Sequence, residues 1–362
     1  MLKFSGICAI ILAVSLAVIG ILELCVLGLK NRLEYLEAGD RWSGGEEKYA
    51  VITLYTEDAF SGDQAEQWAY SMNSALINAS IDTSEEKRAW AYTYIADDTL
   101  SITGTKGTTS AETIAAGGDF FVFHPMEFTY GSYFLNDGSN PRGIVIDRNL
   151  AWKLFGAENI VGMTAEINGI EFTVTGVCEP ESTSGNYGYT YGTTPRLFMS
   201  YNGYSQATGN TSNLTMFEAA LPNSVKGFAK NLFDGVIKLN EDKSDIKEAT
   251  DRFSLKNRYN NMKLLKYSWI RENRIKYPYW ENESKVYDYG AAIMMIFEVF
   301  FAAAAVVTLL LSIICVKFSG YSVIYDIKRF IKFISAKLKK HRQNSSKLKK
   351  NKAKTENNTI GG

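Results

Sequence analysis

The sequence predicts an α+β domain held between two transmembrane helices. Two apolar stretches, residues 4–29 and 290–316, bracket a long polar block. Each stretch is long enough to cross a bilayer as a helix, which takes about 20 apolar residues. Within the block, short segments in which apolar and polar residues alternate predict strands, and separate segments with helical spacing predict helices. This segregation is typical of α+β domains.

Charge predicts the orientation. Residues 317–362 contain thirteen Lys or Arg and two Asp or Glu, although the whole chain has a formal net charge of zero. Positive residues close to a span stay in the cytoplasm, so we expect a two-pass protein of the cell membrane with both termini inside. The predicted parts are an N-terminal transmembrane helix (1–31), an extracytoplasmic domain (32–288), a second transmembrane helix (289–317) and a basic cytoplasmic tail (318–362).

The first apolar stretch has a competing interpretation as a cleaved signal peptide, because Lys3 before an apolar run is common to both. The uninterrupted run Phe4–Leu22 is longer than the roughly 7–15 residues of a signal-peptide core, and no small-x-small cleavage site follows promptly. The acidic and bulky residues before Cys25 suit a lipoprotein signal poorly. These features favour an uncleaved anchor.

Alternation and local motifs predict the elements of the domain. Strands are predicted at 49–55, 90–95, 100–102, 143–146 and 215–221. Ser61-Gly-Asp-Gln64 is a capping box that predicts the start of a helix. A second helix is predicted at 148–155, ended by Gly156, and a hairpin at 164–177 turns at Asn168-Gly169. Ser224 is predicted to cap a further helix, and the pattern over 245–259 and 262–275 is helical or mixed.

Residues 118–177 carry an ordered series of short motifs. The motifs are Gly118-Asp-Phe-Phe121, Gly131 with Phe134, Gly143-Ile-Val-Ile-Asp147, Leu150-Ala151, Leu154-Phe-Gly156, Ile160-Val-Gly162, Ile167-Asn-Gly169 and Phe172–Val177. In order and spacing they resemble the MacB-like periplasmic core domain of ABC-type permeases of the MacB/FtsX superfamily. The resemblance implies a two-lobed domain between the first two transmembrane helices, with a smaller lobe inserted near 195–240.

Motifs for catalysis and for cofactors are missing from the sequence. The two histidines, His124 and His341, have no Cys or His at metal-ligand spacing, and the sequence contains no Gly-x-Ser-x-Gly motif. The run Gly104–Gly107 does not match the phosphate-binding loop of ATPases. We therefore expect no enzyme activity, no cofactor and no metal site, and we expect His124 to be a packed or surface residue.

Two carboxylates lie inside the apolar stretches and are the first candidate functional residues. At about 1.5 Å per residue, Glu23 and Glu298 lie at similar depths from the outer edge. A charge at that depth is costly, so the hypothesis is that the two carboxyls pair with each other or with a partner helix, at least one of them protonated. The alternative is a neutral Glu that reaches the interface, or a shifted span boundary.

Two further segments are candidate binding surfaces. The tail repeats apolar residues at helical spacing with basic residues between them: Lys328, Arg329, Lys332, Lys337, Lys339 and Lys340. This pattern suits a helix on the anionic inner leaflet, or a docking surface for another subunit, and does not suggest nucleic acid. The Tyr- and Gly-rich segment 182–212 is either a mobile loop or long hairpin, or a partner-binding loop that presents Tyr187, Tyr189 and Tyr191.

The resemblance implies a role in transport, with one departure from the family. Its permeases carry four transmembrane helices, whereas this sequence has two apolar stretches followed by the basic tail. We therefore expect a non-catalytic, permease-like component of an ABC-type export or mechanotransmission complex. Its expected partners are membrane lipid, a separate ABC ATPase subunit and other permease subunits, in a homo- or hetero-oligomer. The alternative is a membrane-anchored extracytoplasmic sensor or scaffold without ATP coupling.

Overall fold

The computed structural model describes residues 2–45, 47–84, 88–134, 140–181, 190–240, 242–268 and 275–319, together with residues 328, 332 and 335. The chain divides into two compact units. The helical unit contains residues 1–23 and 297–362, and the domain unit contains residues 24–296.

The described helices are α1 (Leu2–Lys30), α2 (Ala38–Ser43), α3 (Gly62–Asn78), α4 (Phe120–Phe123), α5 (Arg148–Phe155), α6 (Tyr201–Thr208), α7 (Phe228–Val236), α8 (Leu255–Ser268) and α9 (Tyr279–Ser319). The described strands are β1 (Tyr49–Phe60), β2 (Ala91–Gly104), β3 (Gly107–Gly118), β4 (Phe128–Gly131), β5 (Gly143–Asp147), β6 (Thr164–Ile167), β7 (Ile170–Cys178), β8 (Arg196–Ser200), β9 (Leu214–Pro222) and β10 (Ser244–Glu248).

Among the described residues, two helices are long and apolar enough to cross a membrane. They supply the segments Gly6–Lys30 and Tyr279–Ile314, whose most apolar windows have mean hydropathies of 2.8 and 2.5. Only 11% and 17% of those windows are buried. Apolar side chains exposed along most of their length are what contact with lipid tails requires. The two apolar helices predicted from the sequence are confirmed.

The domain unit is built on one mixed sheet. Among the described strands the order is β10-β1-β9-β2-β3-β8-β5-β7-β4, and β6 pairs with β2 and β7. The pairs β3/β8 and β5/β7 are parallel, and the other pairs are antiparallel. The predicted mixture of sheet and helices in this domain is therefore confirmed.

The segment near 195–240 does not form a separate smaller lobe. Its two strands lie inside the sheet, because β8 pairs with β3 and β5, and β9 pairs with β1 and β2. The strands of this segment are therefore part of one continuous sheet.

Local motifs define several element ends as predicted. The hydroxyl of Ser61 accepts a hydrogen bond from the backbone N–H of Gln64 at 3.2 Å, which caps α3. Helix α5 ends at Gly156, whose φ of +69° is a conformation that glycine adopts without strain. The β6–β7 hairpin turns at Asn168 and Gly169, with φ of +51° and +81°. Positive φ at both positions is the type I′ geometry that Asn-Gly favours.

Other elements differ from the prediction in extent or position. The separate strands predicted at 90–95 and 100–102 are parts of the single strand β2, and its partner β3 was not predicted. The segment after residue 244 begins with strand β10, which pairs with β1. Ser224 does not cap α7, since that helix begins at Phe228 after Gly227, which has a φ of +86°.

Alternate residues of the strands pack on opposite faces of the sheet. Leu54 belongs to a large apolar cluster that also contains residues of α3, α5, α6 and α7. Its neighbour Tyr55 belongs to a second cluster, with Trp280 from the start of α9. The start of α9 therefore packs on the face opposite to those four helices. Six apolar residues of β5, α5 and β7 are buried: Ile144, Ile146, Leu154, Phe155, Val174 and Val177.

Cys178 is the one cysteine of the sequence outside the apolar stretches, and it is 2% exposed. Burial raises the pKa of its thiol, so the reactive thiolate is scarce in the folded chain. We predict that a maleimide modifies Cys178 of the full chain in mild detergent only after urea is added, even at mildly alkaline pH. Mass spectrometry of the peptide that contains Cys178 measures the reaction. Prompt modification without urea would contradict the packing of β7.

Candidate functional site

The first turns of α9 carry a row of polar side chains immediately before the apolar stretch. Glu281, Ser284 and Asp288 are spaced by three and four residues, so they share one face of the helix. Glu281 and Ser284 are 1% and 0% exposed, so this face is turned into the domain unit. A buried carboxylate requires a cation or several hydrogen-bond donors close by.

Arg252, in the loop between β10 and α8, supplies that cation. Its Nη1 and Nη2 donate to the two carboxylate oxygens of Glu281 at 2.8 and 2.9 Å. Its Nε and Nη2 donate to the carboxylate oxygens of Asp288 at 2.9 and 2.6 Å. One guanidinium therefore makes forked contacts with two carboxylates, and forked contacts of this kind are the strongest hydrogen-bonded ion pairs in proteins.

Two further side chains complete the arrangement. Nη1 of Arg252 donates to the hydroxyl of Tyr35 at 2.9 Å, and that hydroxyl lies 2.7 Å from Oγ of Ser284. Nζ of Lys247, on β10, donates to Glu281 at 2.7 Å. Two cations thus face two carboxylates. We call Tyr35, Lys247, Arg252, Glu281 and Asp288 the ionic clamp.

The electrostatics of the clamp keep its groups in the forms that bind each other. Burial opposes the charge of Arg252, but Tyr35, Glu281 and Asp288 outweigh that effect and raise its pKa well above the ordinary value. Burial also raises the pKa of Tyr35 and of the neighbouring Tyr55. Both hydroxyls therefore stay protonated, and the hydroxyl of Tyr55 donates to Glu281 at 3.3 Å.

A second buried polar contact joins α9 to the middle of the sheet. His124, which follows α4, packs against Trp280 with ring centroids 4.1 Å apart. Its Nε2 lies 3.0 Å from Oε2 of Glu218 on β9, and the other oxygen of Glu218 accepts from the hydroxyl of Thr53 on β1 at 2.9 Å. His124 is 4% exposed, in agreement with the prediction of a packed residue.

Sequence reasoning did not single out Arg252 or Glu218. The sequence does contain unusual polar residues at both contacts, but it does not identify the residues they bind. Glu218 interrupts the apolar run of β9, and Glu281 and Asp288 stand on one helix face directly before an apolar stretch. What the sequence lacks is any indication that a basic residue in a distant loop meets those carboxylates.

The two intramembrane carboxylates lie in the helical unit and differ in burial. Glu298 is 6% exposed on α9, whereas Glu23 is exposed on α1. Both belong to the same compact unit. Their pairing or coupling role stays a prediction.

The predicted binding surfaces are described only in part. Lys328 and Lys332 are helical and exposed, whereas Arg329, Lys337, Lys339 and Lys340 lie outside the described residues.

In the Tyr- and Gly-rich segment, Tyr187 and Tyr189 also lie outside the described residues, and the described part contains β8 and α6. Tyr191 is 2% exposed, and its hydroxyl donates to the carboxylate of Asp147 at 3.2 Å. Its ring also packs on the guanidinium of Arg196. Tyr191 is therefore a buried residue in this structure, and its proposed role in partner binding stays a prediction.

A family model places the chain in a known class of domain. The family model of the MacB-like periplasmic core domain matches residues 38–233, which is more than half of the chain. The chain belongs to this family, as the motifs of residues 118–177 indicate. The matched range contains strands β1 to β9, and the ionic clamp is built mostly from residues that follow it.

Solved structures provide two comparisons. The periplasmic region of MacB from Actinobacillus actinomycetemcomitans is 18% identical, with a TM-score of 0.40, over 57% of this chain and 92% of that one. The extracellular domain of the ABC-type transporter YknZ from Gram-positive bacteria is 13% identical, with a TM-score of 0.38, over 54% of this chain and 99% of that one. No match was found among curated proteins.

The clamp predicts a large effect of removing its central cation. Replacing Arg252 with Met leaves two carboxylates buried without their main partner, which costs about 3–5 kcal/mol of unfolding free energy. Arg252→Lys keeps the charge but loses the fork, so we expect an intermediate loss. Urea unfolding of the full chain in mild detergent, followed by tryptophan fluorescence, measures both effects.

An exposed ion pair supplies the matched control. Arg148 donates to Glu179 at 3.0 Å, and its side chain is 42% exposed. Because exposed ion pairs contribute at most about 1 kcal/mol, Arg148→Met is expected to change the stability little. Equal losses in the Arg252 and Arg148 variants would show that the clamp has no special role in holding α9.

Proposed function

We propose that this chain is a non-catalytic, permease-like membrane component of an ABC-type export or mechanotransmission complex, energised by a separate ATPase chain. In this proposal both termini lie in the cytoplasm and the domain lies outside it. Membership in the MacB-like family and the two apolar helices on either side of the domain support this assignment. The basic tail supports the orientation.

The observation that carries the proposal is the attachment of α9 to the sheet. Helix α9 is continuous over 41 residues, so at about 1.5 Å per residue it is about 60 Å long. Its first turns are held by Arg252 through charge-assisted hydrogen bonds, two buried ones to Glu281 and two partly buried ones to Asp288. Sliding of α9 past the domain would break these bonds together. The first turns of α9 and the loop that carries Arg252 are therefore expected to move together.

The contacts of α9 with the sheet define which strands a movement of its first turns would displace. Arg252 and Lys247 belong to β10 and the loop that follows it. Trp280 contacts His124, whose partner Glu218 lies on β9 and is hydrogen-bonded to Thr53 on β1. Strands β10, β1 and β9 are adjacent in the sheet. A displacement of α9 therefore acts on three neighbouring strands, as a mechanical coupling element requires.

Affinity purification of the full chain in mild detergent tests this function. We expect an ATPase subunit to co-purify, and we expect the intact chain to stimulate ATP hydrolysis in the reconstituted complex. With Arg252→Lys the ATPase should still co-purify, but the stimulation should fall, because the weakened clamp transmits less of the movement. Arg148→Lys, at the exposed ion pair, is the control and should leave the stimulation unchanged.

Two results would contradict this account in different ways. If no ATPase accompanies the intact chain, the protein is better explained as a membrane-anchored sensor or scaffold. If an ATPase co-purifies and Arg252→Lys stimulates it fully, the complex exists but the clamp does not transmit the movement.

The intramembrane carboxylates give a separate prediction. If Glu298 pairs within the assembly, Glu298→Gln should reduce co-purification or stimulation, because the amide cannot carry the charge or give up a proton. Glu23→Gln should have the smaller effect, since Glu23 is exposed and Glu298 is buried. Co-purification and ATP hydrolysis measure both variants. If assembly and activity stay intact in both, the two carboxyls have no coupling role.

A further inference from the structure

Helix α8 differs in charge from the rest of the domain. Its sequence contains the basic residues Lys256, Arg258, Lys263 and Lys266 and no acidic residue. The chain before residue 317 is acidic overall, because the whole chain is neutral and residues 317–362 are strongly basic. A purely basic helix in an acidic domain indicates an anionic neighbour.

The outward side of α8 combines this charge with exposed apolar groups. Leu255 and Tyr259, one turn apart on the same side of the helix, are 61% and 41% exposed. The exposed Lys256 and Lys263 lie beside them, and Nζ of Lys263 lies 4.2 Å from the centroid of the Tyr259 ring. An apolar side chain and a tyrosine flanked by lysines are typical of helices that lie at a membrane interface.

The position of α8 places it beside both apolar stretches. The helix begins three residues after Arg252, which is bonded to Asp288, and the second apolar stretch begins at Gly290. Asn261 of α8 and Asp288 border the same cleft of about 650 Å³.

The end of the first apolar stretch also lies near the start of α8. Phe253, in the loop before α8, packs in one apolar cluster with Leu29, the last residue of that stretch. The points where both stretches meet the domain therefore lie next to the start of α8.

We propose that α8 lies on the phospholipid surface that faces the domain. Leu255 and Tyr259 enter the boundary between headgroups and acyl chains, and Lys256 and Lys263 pair with lipid phosphates. The membrane is the occupant that the structure favours, because both apolar stretches place it beside this helix and its charge is complementary. The domain thus has a third attachment to the bilayer, and this attachment does not depend on whether an ATPase partner exists.

The experiment uses the full chain in vesicles of phosphatidylcholine with or without phosphatidylglycerol. The four native cysteines are replaced with alanine, and an environment-sensitive fluorophore is attached to Tyr259→Cys. We expect a blue-shifted emission that spin-labelled lipids quench, more strongly in the anionic vesicles. Replacing Lys256 and Lys263 with Gln should weaken the preference for anionic lipid about fivefold for each lysine removed.

A distant exposed aromatic residue provides the control. Trp152, on α5, is 53% exposed. Helix α5 contacts the end of β2 at Gly104, whereas the start of β2 at Ala91 belongs to the cluster that includes Leu29. Strand β2 has 14 residues, so at about 3.3 Å per residue these ends are about 45 Å apart. A fluorophore on Trp152→Cys is therefore expected to show no quenching by lipid.

A measurement without substitutions guards against a variant that fails to fold. Hydrogen exchange of the unmodified chain in the same two kinds of vesicle should show slower exchange in α8 when anionic lipid is present, with no change in α5. Equal quenching at positions 259 and 152, or exchange in α8 that ignores the lipid, would overturn the proposal. A water-exposed fluorophore at position 259 that a partner protein alone shields would overturn it in favour of a protein-binding surface.

Discussion

The structure depends most on the buried charge of Arg252. A guanidinium in a protein interior is tolerated only when carboxylates and other acceptors surround it, and here Glu281, Asp288 and Tyr35 do so. These residues come from three distant parts of the chain: the segment after the first apolar stretch, the loop after β10 and the start of α9. Because the loss of Arg252 leaves the carboxylates of Glu281 and Asp288 without their main cation, Arg252 links these three parts of the chain.

The two faces of the sheet have different tasks. One face is covered by α3, α5, α6 and α7, whose apolar side chains form the larger cluster and supply most of the hydrophobic stabilisation. The other face receives the aromatic and charged start of α9. Hydrophobic packing is non-directional, so the first face suits stability. Forked ion pairs need a defined geometry, so the second face suits transmission of a movement.

The sequence predicts features that depend on neighbouring residues and misses those that depend on distant ones. The Ser61 cap, the end of α5 at Gly156 and the Asn168-Gly169 turn are local, so each is found where the sequence puts it. Strand β3 is rich in Gly, Ala and Thr and has weak strand propensity, and it forms because β2 pairs with it along its whole length. The clamp is missed for the same reason, because 36 residues separate Arg252 from Asp288. The family resemblance supplied the class of domain, but the matched range stops before Arg252.

The unbroken course of α9 also has a consequence for how this chain can change over evolutionary time. An α-helix turns about 100° with each residue. One extra residue after Asp288 would therefore rotate the following side chains of α9 by about 100° about the helix axis relative to Glu281 and Asp288. A shift of a whole turn needs three or four residues and lengthens the rod by about 5 Å. A single insertion or deletion in this stretch would therefore change which apolar residues of α9 share a side with Glu281 and Asp288, whereas a substitution would leave that register unchanged.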